Sequence, residues 1–552
     1  MDCDLLIKGG TIVDGTGDKS FPGALAIKDG KIKAVLRSEA DTDDAENGCR
    51  EIIDAEGLTV CPGFIDMHSH ADWILPLDDH PSILSPLLEQ GITTVVGGNC
   101  GFSPAPLITD SPHFGTIASF ADFLSDRPIS LEWGTMGSFL DSMENSGVAL
   151  NLAMLAGHGN LRLSMLGLNY AFPGNQTLSD LEQAISTALE EGAFGISFGL
   201  GYAPGIFSEI RELETFALIA RKYDRLLTVH LKAYTRLSGA YPLKLFGDQP
   251  HNLRALQEMI DLVRRTGVKM QISHMLFVGK KTWSTVDQAL GMIDSAVEEG
   301  LDIAFDSFPY TCGNTTIYVV YPAWFLNNIE QNLKNKAARL RLRFEVAFIT
   351  SQLGFGLEDI QVLWGGHPEL ERYRGLFFDE IARQMGCSVF QAYLKVSELS
   401  KGKTLCLLHK YNGDADDESA LHKVASHPLN LFETDTILTG RGMQNPSSFG
   451  TFPRVIQYFH KDLGLFTLEE AVAKMTGKSA HRFGIKDRGT ITEGSWADLS
   501  IFDYEEVADN TAPPDLERRP SGIKYVFING TEVVRDGKAN TNHLAGRVLR
   551  AL

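Results

Sequence analysis

Between residues 62 and 479, short apolar runs of strand length alternate with amphipathic runs of helical length, and that rhythm admits few folds. Strands that recur with a helix in between pair in parallel, and eight such units close a (β/α)8 TIM-type barrel. The runs at 63–70, 93–97, 149–156, 194–198, 226–231, 268–273, 302–306 and 430–435 supply the eight strands. Of the helices between them, 179–191 opens with a capping-box-like Ser179-Asp180-Leu181-Glu182, and 251–266 and 285–299 are amphipathic. The gap between the seventh and eighth strands is too long for one helix, and 326–353 within it reads as helical and rich in Lys and Arg. An inserted helical subdomain over roughly 313–425 is therefore expected. Outside the barrel, residues 1–61 read as short strands at 4–8, 11–13, 24–28, 31–35 and 51–53, with Asp29-Gly30 as a hairpin signal. Residues 480–552 mirror them with runs at 489–491, 497–503, 524–530 and 531–534, so both ends are expected to pair into one small β-sandwich.

In such a barrel the chemistry collects at the C-terminal ends of the strands. Strand one ends in His68-Ser69-His70, whose imidazoles, two residues apart, point to one side of a strand. Strand two runs into Asn99-Cys100-Gly101, strand five ends in His230, strand six runs into His274, and strand eight ends in Asp435. Taken singly, a buried Cys is a small hydrophobe and a strand-end His a hydrogen-bonded bystander. Five strand ends in register, all bearing metal-ligating or acid–base groups, point to one site. Imidazole and thiolate suit Zn2+, and a catalytic zinc lowers the pKa of its water to about 7. Asp435 is the candidate to take the proton from that water and hand it to a leaving nitrogen.

The balance of 50 Lys+Arg against 70 Asp+Glu gives a net charge of −20, which disfavours nucleic acid and anionic membrane as partners. The seven cysteines are scattered without a Cys-x-x-Cys spacing, so neither a disulfide framework nor a zinc finger is expected, and a reducing cytoplasm fits best. No basic-then-apolar start and no apolar run of bilayer length is present, so neither export nor a membrane anchor is expected.

Several motifs place the chain more narrowly. Leu5 to Gly10, Pro62 to His70, Arg488-Gly489-Thr490-Ile491 and the Gly494, Ala497, Asp498, Leu499 pattern resemble the amidohydrolase superfamily along nearly the whole chain. Gly98-Asn99-Cys100-Gly101, Gly157-His158-Gly159 with Leu161-Arg162, Gly199-Leu200 with Tyr202, Ile272-Ser273-His274 and Gly450-Thr451-Phe452-Pro453-Arg454 are similar to the N-acyl-D-amino-acid deacylases (D-aminoacylases). The resemblance implies a zinc-dependent hydrolase of linear amides in which metal-bound hydroxide attacks a small N-acyl substrate, either as a monomer or as a homo-oligomer. By matching position it implies Cys100, His230 and His274 on a tight zinc, with His68, His70, Cys100 and Asp435 around a weaker second position.

Two departures qualify it. Hydantoinase-like relatives bridge two metals with a strand-four lysine, and 192–198 contains none, which leaves Cys100 as the bridging ligand. The lysine expected to grip the substrate carboxylate shortly after His274 is also missing, because Met275-Leu276-Phe277 follows instead. Lys280, Lys281, Lys232 and Arg441 are candidates to replace it, Tyr202 is a candidate for the scissile carbonyl or the carboxylate, and His158 is placed near the site by position alone. The rival readings are a cyclic amide or imide hydrolase of the hydantoinase or dihydroorotase kind, and a non-catalytic scaffold on an amidohydrolase barrel.

Overall fold

The computed structural model describes residues 1–551 apart from 126, 169–172, 243–248 and 327. Its centre is an eight-stranded parallel sheet made by Phe64–Asp66, Ile92–Gly97, Asn151–Gly157, Gly195–Gly199, Leu226–His230, Lys269–Ile272, Ile303–Ser307 and Asn430–Phe432, each paired with the next in chain order. Alternation along the strands sorts the side chains. Ile65, Val96, Ala153, Leu155, Leu226 and Leu431 fill the barrel interior, while Val95, Leu152, Met154, Ile196, Leu227 and Val229 pack outward against the helices. Residues Leu549 and Ala551 of the C-terminal tail close the bottom of the interior, held by Leu549 N–H to the Leu152 carbonyl (2.7 Å) and Ala551 N–H to the Gly192 carbonyl (2.9 Å).

The first and eighth strands are only three residues long and close the barrel beyond their ends. Ser69 and Thr436 form a parallel bridge, His70 N–H donates to the Thr436 carbonyl at 3.0 Å, and Thr434 N–H donates to the Asp66 carboxylate at 3.0 Å. The expected strand at 63–70 is therefore shorter, because a side chain takes over as acceptor from the ladder at Asp66.

Both chain ends share one nine-stranded sheet, joined where Leu58–Pro62 pairs antiparallel with Leu499–Asp503. Ile32 and Phe527, from strands far apart in it, contribute to one core with Leu5, Ile7, Leu25, Val60 and Ile501, so the sheet curls round that core as the two leaves of a sandwich. Asp29-Gly30 and Asn529-Gly530, all with positive φ, turn its hairpins. The run at 489–491 forms no strand; Ile491 reaches the same core through a single bond to the Asp14 carbonyl (2.9 Å). Cys3 and Cys49, in register on neighbouring parallel strands, are joined as a disulfide, a single pairing where no disulfide framework was expected.

The helix expected from Ser179 runs over Asn175–Glu190 instead. Leu178 packs on the barrel core and continues the apolar face of Leu181 and Ile185 one turn further back, so Ser179 lies inside the helix. Between the seventh strand and the helix Ser419–Ser426, the inserted segment contains the long helix Lys336–Leu353, as expected, but also an antiparallel sheet of Cys312–Thr316, Leu405–His409 and Ile360–Trp364. Among the described residues no helix is long and apolar enough to cross a membrane.

Candidate metal centre and active site

Glycines frame the turn that presents Cys100. After Gly97 the chain passes through Gly98, Asn99, Cys100 and Gly101, with φ of 76° at Gly98, 56° at Cys100 and 76° at Gly101. A Cβ at Gly98 would collide with the Leu155 carbonyl, and one at Gly101 would lie 2.7 Å from the Gly199 nitrogen. The neighbouring strands thus leave room for backbone alone. Ser197 of strand four ties the turn down, accepting from Gly101 N–H at 3.0 Å and donating to the Gly98 carbonyl, and the Tyr202 hydroxyl donates to the Cys100 carbonyl at 2.7 Å.

Six side chains from five strand ends meet above this turn. His68 and His70 lie past the end of strand one rather than on it, yet both converge. Cys100 Sγ is 3.3 Å from His68 Nε2, 3.5 Å from His274 Nε2 and 3.7 Å from His230 Nδ1, and His230 Nδ1 is 3.1 Å from His274 Nε2. Asp435 Oδ1 lies 3.6 Å from the Nε2 atoms of both His68 and His70. His68 therefore stands between a sulfur–nitrogen group with Cys100 and His274 and a nitrogen–oxygen group with His70 and Asp435. Cys100, His274 and Asp435 all have left-handed backbones, with φ of 56°, 34° and 46°, a conformation that ordinary residues adopt only where surrounding structure imposes it.

The electrostatics suit a cation. Burial, with the imidazoles around them, holds His68 and His230 well below the ordinary histidine range, and burial also lowers His274, so these rings are neutral donors. Burial and the Asp435 carboxylate push the Cys100 thiol well above its usual value, a cost that a bound metal reverses. The Nδ1 atoms of His68 and His70 are buried without a hydrogen-bond partner. Sulfur, imidazole and carboxylate donors in this proximity fit a divalent metal.

Sequence reasoning passed over the carboxylate that supports them. Asp306, at the end of strand seven, accepts from His274 N–H at 2.6 Å and from Gln271 Nε2 at 2.8 Å, and lies 3.8 Å from His68 Nδ1. Burial pushes its carboxyl up to about 7. An acid at a barrel strand end was the available signal. Ser197 carried none, since a serine among apolar residues reads as filler.

The candidates for holding substrate are less united. Tyr202 stacks on Phe102 and stands 4.8 Å from the His230 ring, with its hydroxyl bonded to the Cys100 turn. His158 is fully buried, 2.8 Å from Glu212 and packed on Phe198 and Phe216. Glu212 also accepts from Arg162 at 3.1 Å, so His158 belongs to an ion-paired layer behind strand four. Lys281 is exposed at a turn whose N–H binds the Leu353 carbonyl, and Lys280 lies 3.9 Å from Asp414. Arg441 lies over Trp364 of the inserted sheet at 5.2 Å. Leu276 is buried in the core of the insertion beside Phe308, Tyr310 and Val278.

The chain has relatives among known proteins. The amidohydrolase family model matches residues 51–122 and 443–537. The chain is 31% identical to the N-acyl-D-glutamate deacylase of Alcaligenes xylosoxydans xylosoxydans, over 99% of this chain and 96% of that protein. It is 29% identical to the D-aminoacylase of the same organism, over 99% and 97%. The crystal structure of N-acyl-D-glutamate deacylase from Bordetella bronchiseptica, complexed with zinc and a phosphonate mimic of the tetrahedral intermediate, superposes with a TM-score of 0.79 at 28% identity, over 100% of both chains.

Proposed function

This chain belongs to the amidohydrolase superfamily, in its N-acyl-D-amino-acid deacylase branch, and on that premise we propose that it hydrolyses the linear amide bond of an N-acyl-D-amino acid or a related N-acyl compound. The convergence of His68, His70, Cys100, His230 and His274 on Asp435 carries the reading. Cys100, His230 and His274 would hold one zinc tightly, and His68, His70, Cys100 and Asp435 would frame a weaker second position. When bound, the metal supplies Lewis acidity to a water and to the amide carbonyl.

Asp435 does the proton work. Its carboxylate takes the proton of the attacking water and returns it to the amide nitrogen as the carbon–nitrogen bond breaks. Its side chain is 19% exposed, whereas that of Asp306 is 2% exposed, so Asp435 is the acid that substrate reaches. Tyr202 and Ser197 hold the Cys100 turn so that its sulfur faces the imidazoles. Ser197 stands on the strand where a cyclic-amide hydrolase of the hydantoinase kind carries its bridging lysine, which supports the linear substrate.

The reading is tested with Asp435→Asn and a panel of N-acyl-D-amino acids, N-acyl-L-amino acids and hydantoins. The variant is expected to bind zinc nearly as the parent does and to turn over nothing. Retained turnover removes Asp435 from its role, and hydrolysis of hydantoins alone overturns the substrate assignment.

A further inference from the structure

Strands five and six part company one bond before their ladder has to end. The parallel pairing of Leu226–His230 with Lys269–Ile272 runs to Val229 and Ile272, and one bond follows it, from Ser273 N–H to the Val229 carbonyl at 2.9 Å. The next bond of a parallel ladder would run from Leu231 N–H to the Ser273 carbonyl. The Tyr234 hydroxyl stands in its place, accepting from Leu231 N–H at 2.8 Å and donating to the Ser273 carbonyl at 2.9 Å. A direct bond would bring that nitrogen and oxygen to about 2.9 Å of each other, so the inserted oxygen holds the strand ends apart.

The two peptides it grips adjoin two of the candidate zinc ligands. Leu231 follows His230 and Ser273 precedes His274, whose Nδ1 and Nε2 atoms lie 3.1 Å apart. The Tyr234 ring also meets both imidazoles edge-on, with centroids 4.9 Å from His230 and 5.2 Å from His274. His230 thus touches two tyrosines: Tyr202, whose hydroxyl ties down the Cys100 turn, and Tyr234, whose hydroxyl ties it to the strand of His274. Only a group that both donates and accepts can join an N–H to a carbonyl, and a hydroxyl does both through one atom. The tie is not needed to hold the two loops together, because Val278 N–H already donates to the Tyr234 carbonyl at 2.9 Å.

We propose that Tyr234 is a positioning residue of the metal centre. Its hydroxyl, inserted between Leu231 and Ser273, sets the separation of His230 and His274 and with it the tightness of the first zinc. The inference rests on the assignment of that zinc to Cys100, His230 and His274, and holds whatever the substrate.

Tyr234→Phe keeps the ring and removes the wedge. In chelator competition on the metal-free protein, the variant is expected to hold zinc about tenfold or more weakly than the parent. The visible bands of the cobalt(II)-loaded variant, which report ligand geometry, are expected to shift from those of the parent. Tyr234→Leu, which also removes the ring contacts, is expected to weaken zinc further. Melting of the metal-free proteins is expected to stay near the parent, since the ladder and the Val278 bond remain; shifted cobalt bands support the role even where melting falls, because they are read on folded, loaded protein. Parental zinc affinity with parental cobalt bands in Tyr234→Phe, the result for a hydroxyl that only stabilises the fold, overturns the inference and leaves the metal assignment standing. Parent protein that binds no zinc overturns both.

Discussion

Asp435 and His68 touch twice: the Asp435 N–H donates to the His68 carbonyl at 3.0 Å, and the Asp435 carboxylate lies 3.6 Å from His68 Nε2. The first contact closes the barrel between its shortest strands and the second joins the two halves of the metal centre, so closure of the fold and assembly of the site are one event.

Substitution at Asp435 should separate these roles. Asn tolerates the φ of 46°, so Asp435→Asn is expected to keep the parent's unfolding free energy within about 0.5 kcal/mol. Asp435→Val, β-branched in a left-handed position, is expected to cost about 1–2 kcal/mol in denaturant titrations. Equal stabilities would show that the backbone contact does not close the barrel.

Zinc loading should release a proton. The Cys100 thiol is held protonated by burial and by Asp435, while His68, His230 and His274 are held neutral, so the ligand that must lose a proton is the cysteine. Calorimetric titration of the metal-free protein near about pH 8, in buffers of different ionisation enthalpy, should give about one proton per tightly bound zinc. Cys100→Ser is expected to weaken zinc strongly, and release of no proton by the parent would remove Cys100 from the ligand set.

Asp306 orients His274 without reaching substrate. Asp306→Ala removes the acceptor of the His274 N–H and the neighbour of His68 Nδ1, and should weaken zinc about 10–100-fold in chelator competition. An unchanged affinity would make Asp306 a packing residue.

Gly101→Ala places a methyl 2.7 Å from the Gly199 nitrogen on a backbone at φ of 76°. The strain is expected to cost about 1–3 kcal/mol and to lower the metal content of the purified protein together with its Tm. A fully metallated variant with parental Tm would show that the turn yields.

Acid should loosen the insertion. Burial lowers His409 from 6.5 to about 4 in the folded protein, and its Nε2 lies 3.1 Å from the Gln361 side chain. The unfolded chain takes up the proton at the higher pH, so this contribution is complete above about 6.5 and is lost as pH falls toward about 4, by roughly 2–3 kcal/mol. Hydrogen exchange across Ile360–Trp364 and Leu405–His409 should accelerate in that window, and His409→Gln should blunt the effect.

The barrel order was legible because each strand announces itself locally. Val95 and Val229 pack outward while Val96 and Leu226 fill the interior, and that alternation is written in neighbouring residues. His68, His70, Cys100, His230, His274 and Asp435 were legible for a related reason: a barrel sends every strand end to one mouth, so position along a strand is enough to bring side chains together. The antiparallel sheet inside the insertion was not legible, since Cys312–Thr316 and Leu405–His409 show their pairing only across the 88 residues between them.

The sequence by itself determined the parallel barrel, the sheet shared by the two ends, and the identity of six candidate ligands, because those follow from periodicity and from residue type at strand ends. The tertiary structure alone decided that His158 meets Glu212, that Asp306 stands behind His68 and His274, and that Cys3 meets Cys49. Each of these is a contact between segments far apart in the chain, and the free energy that selects it comes from burial and polar satisfaction in the assembled molecule, which no local stretch of sequence encodes.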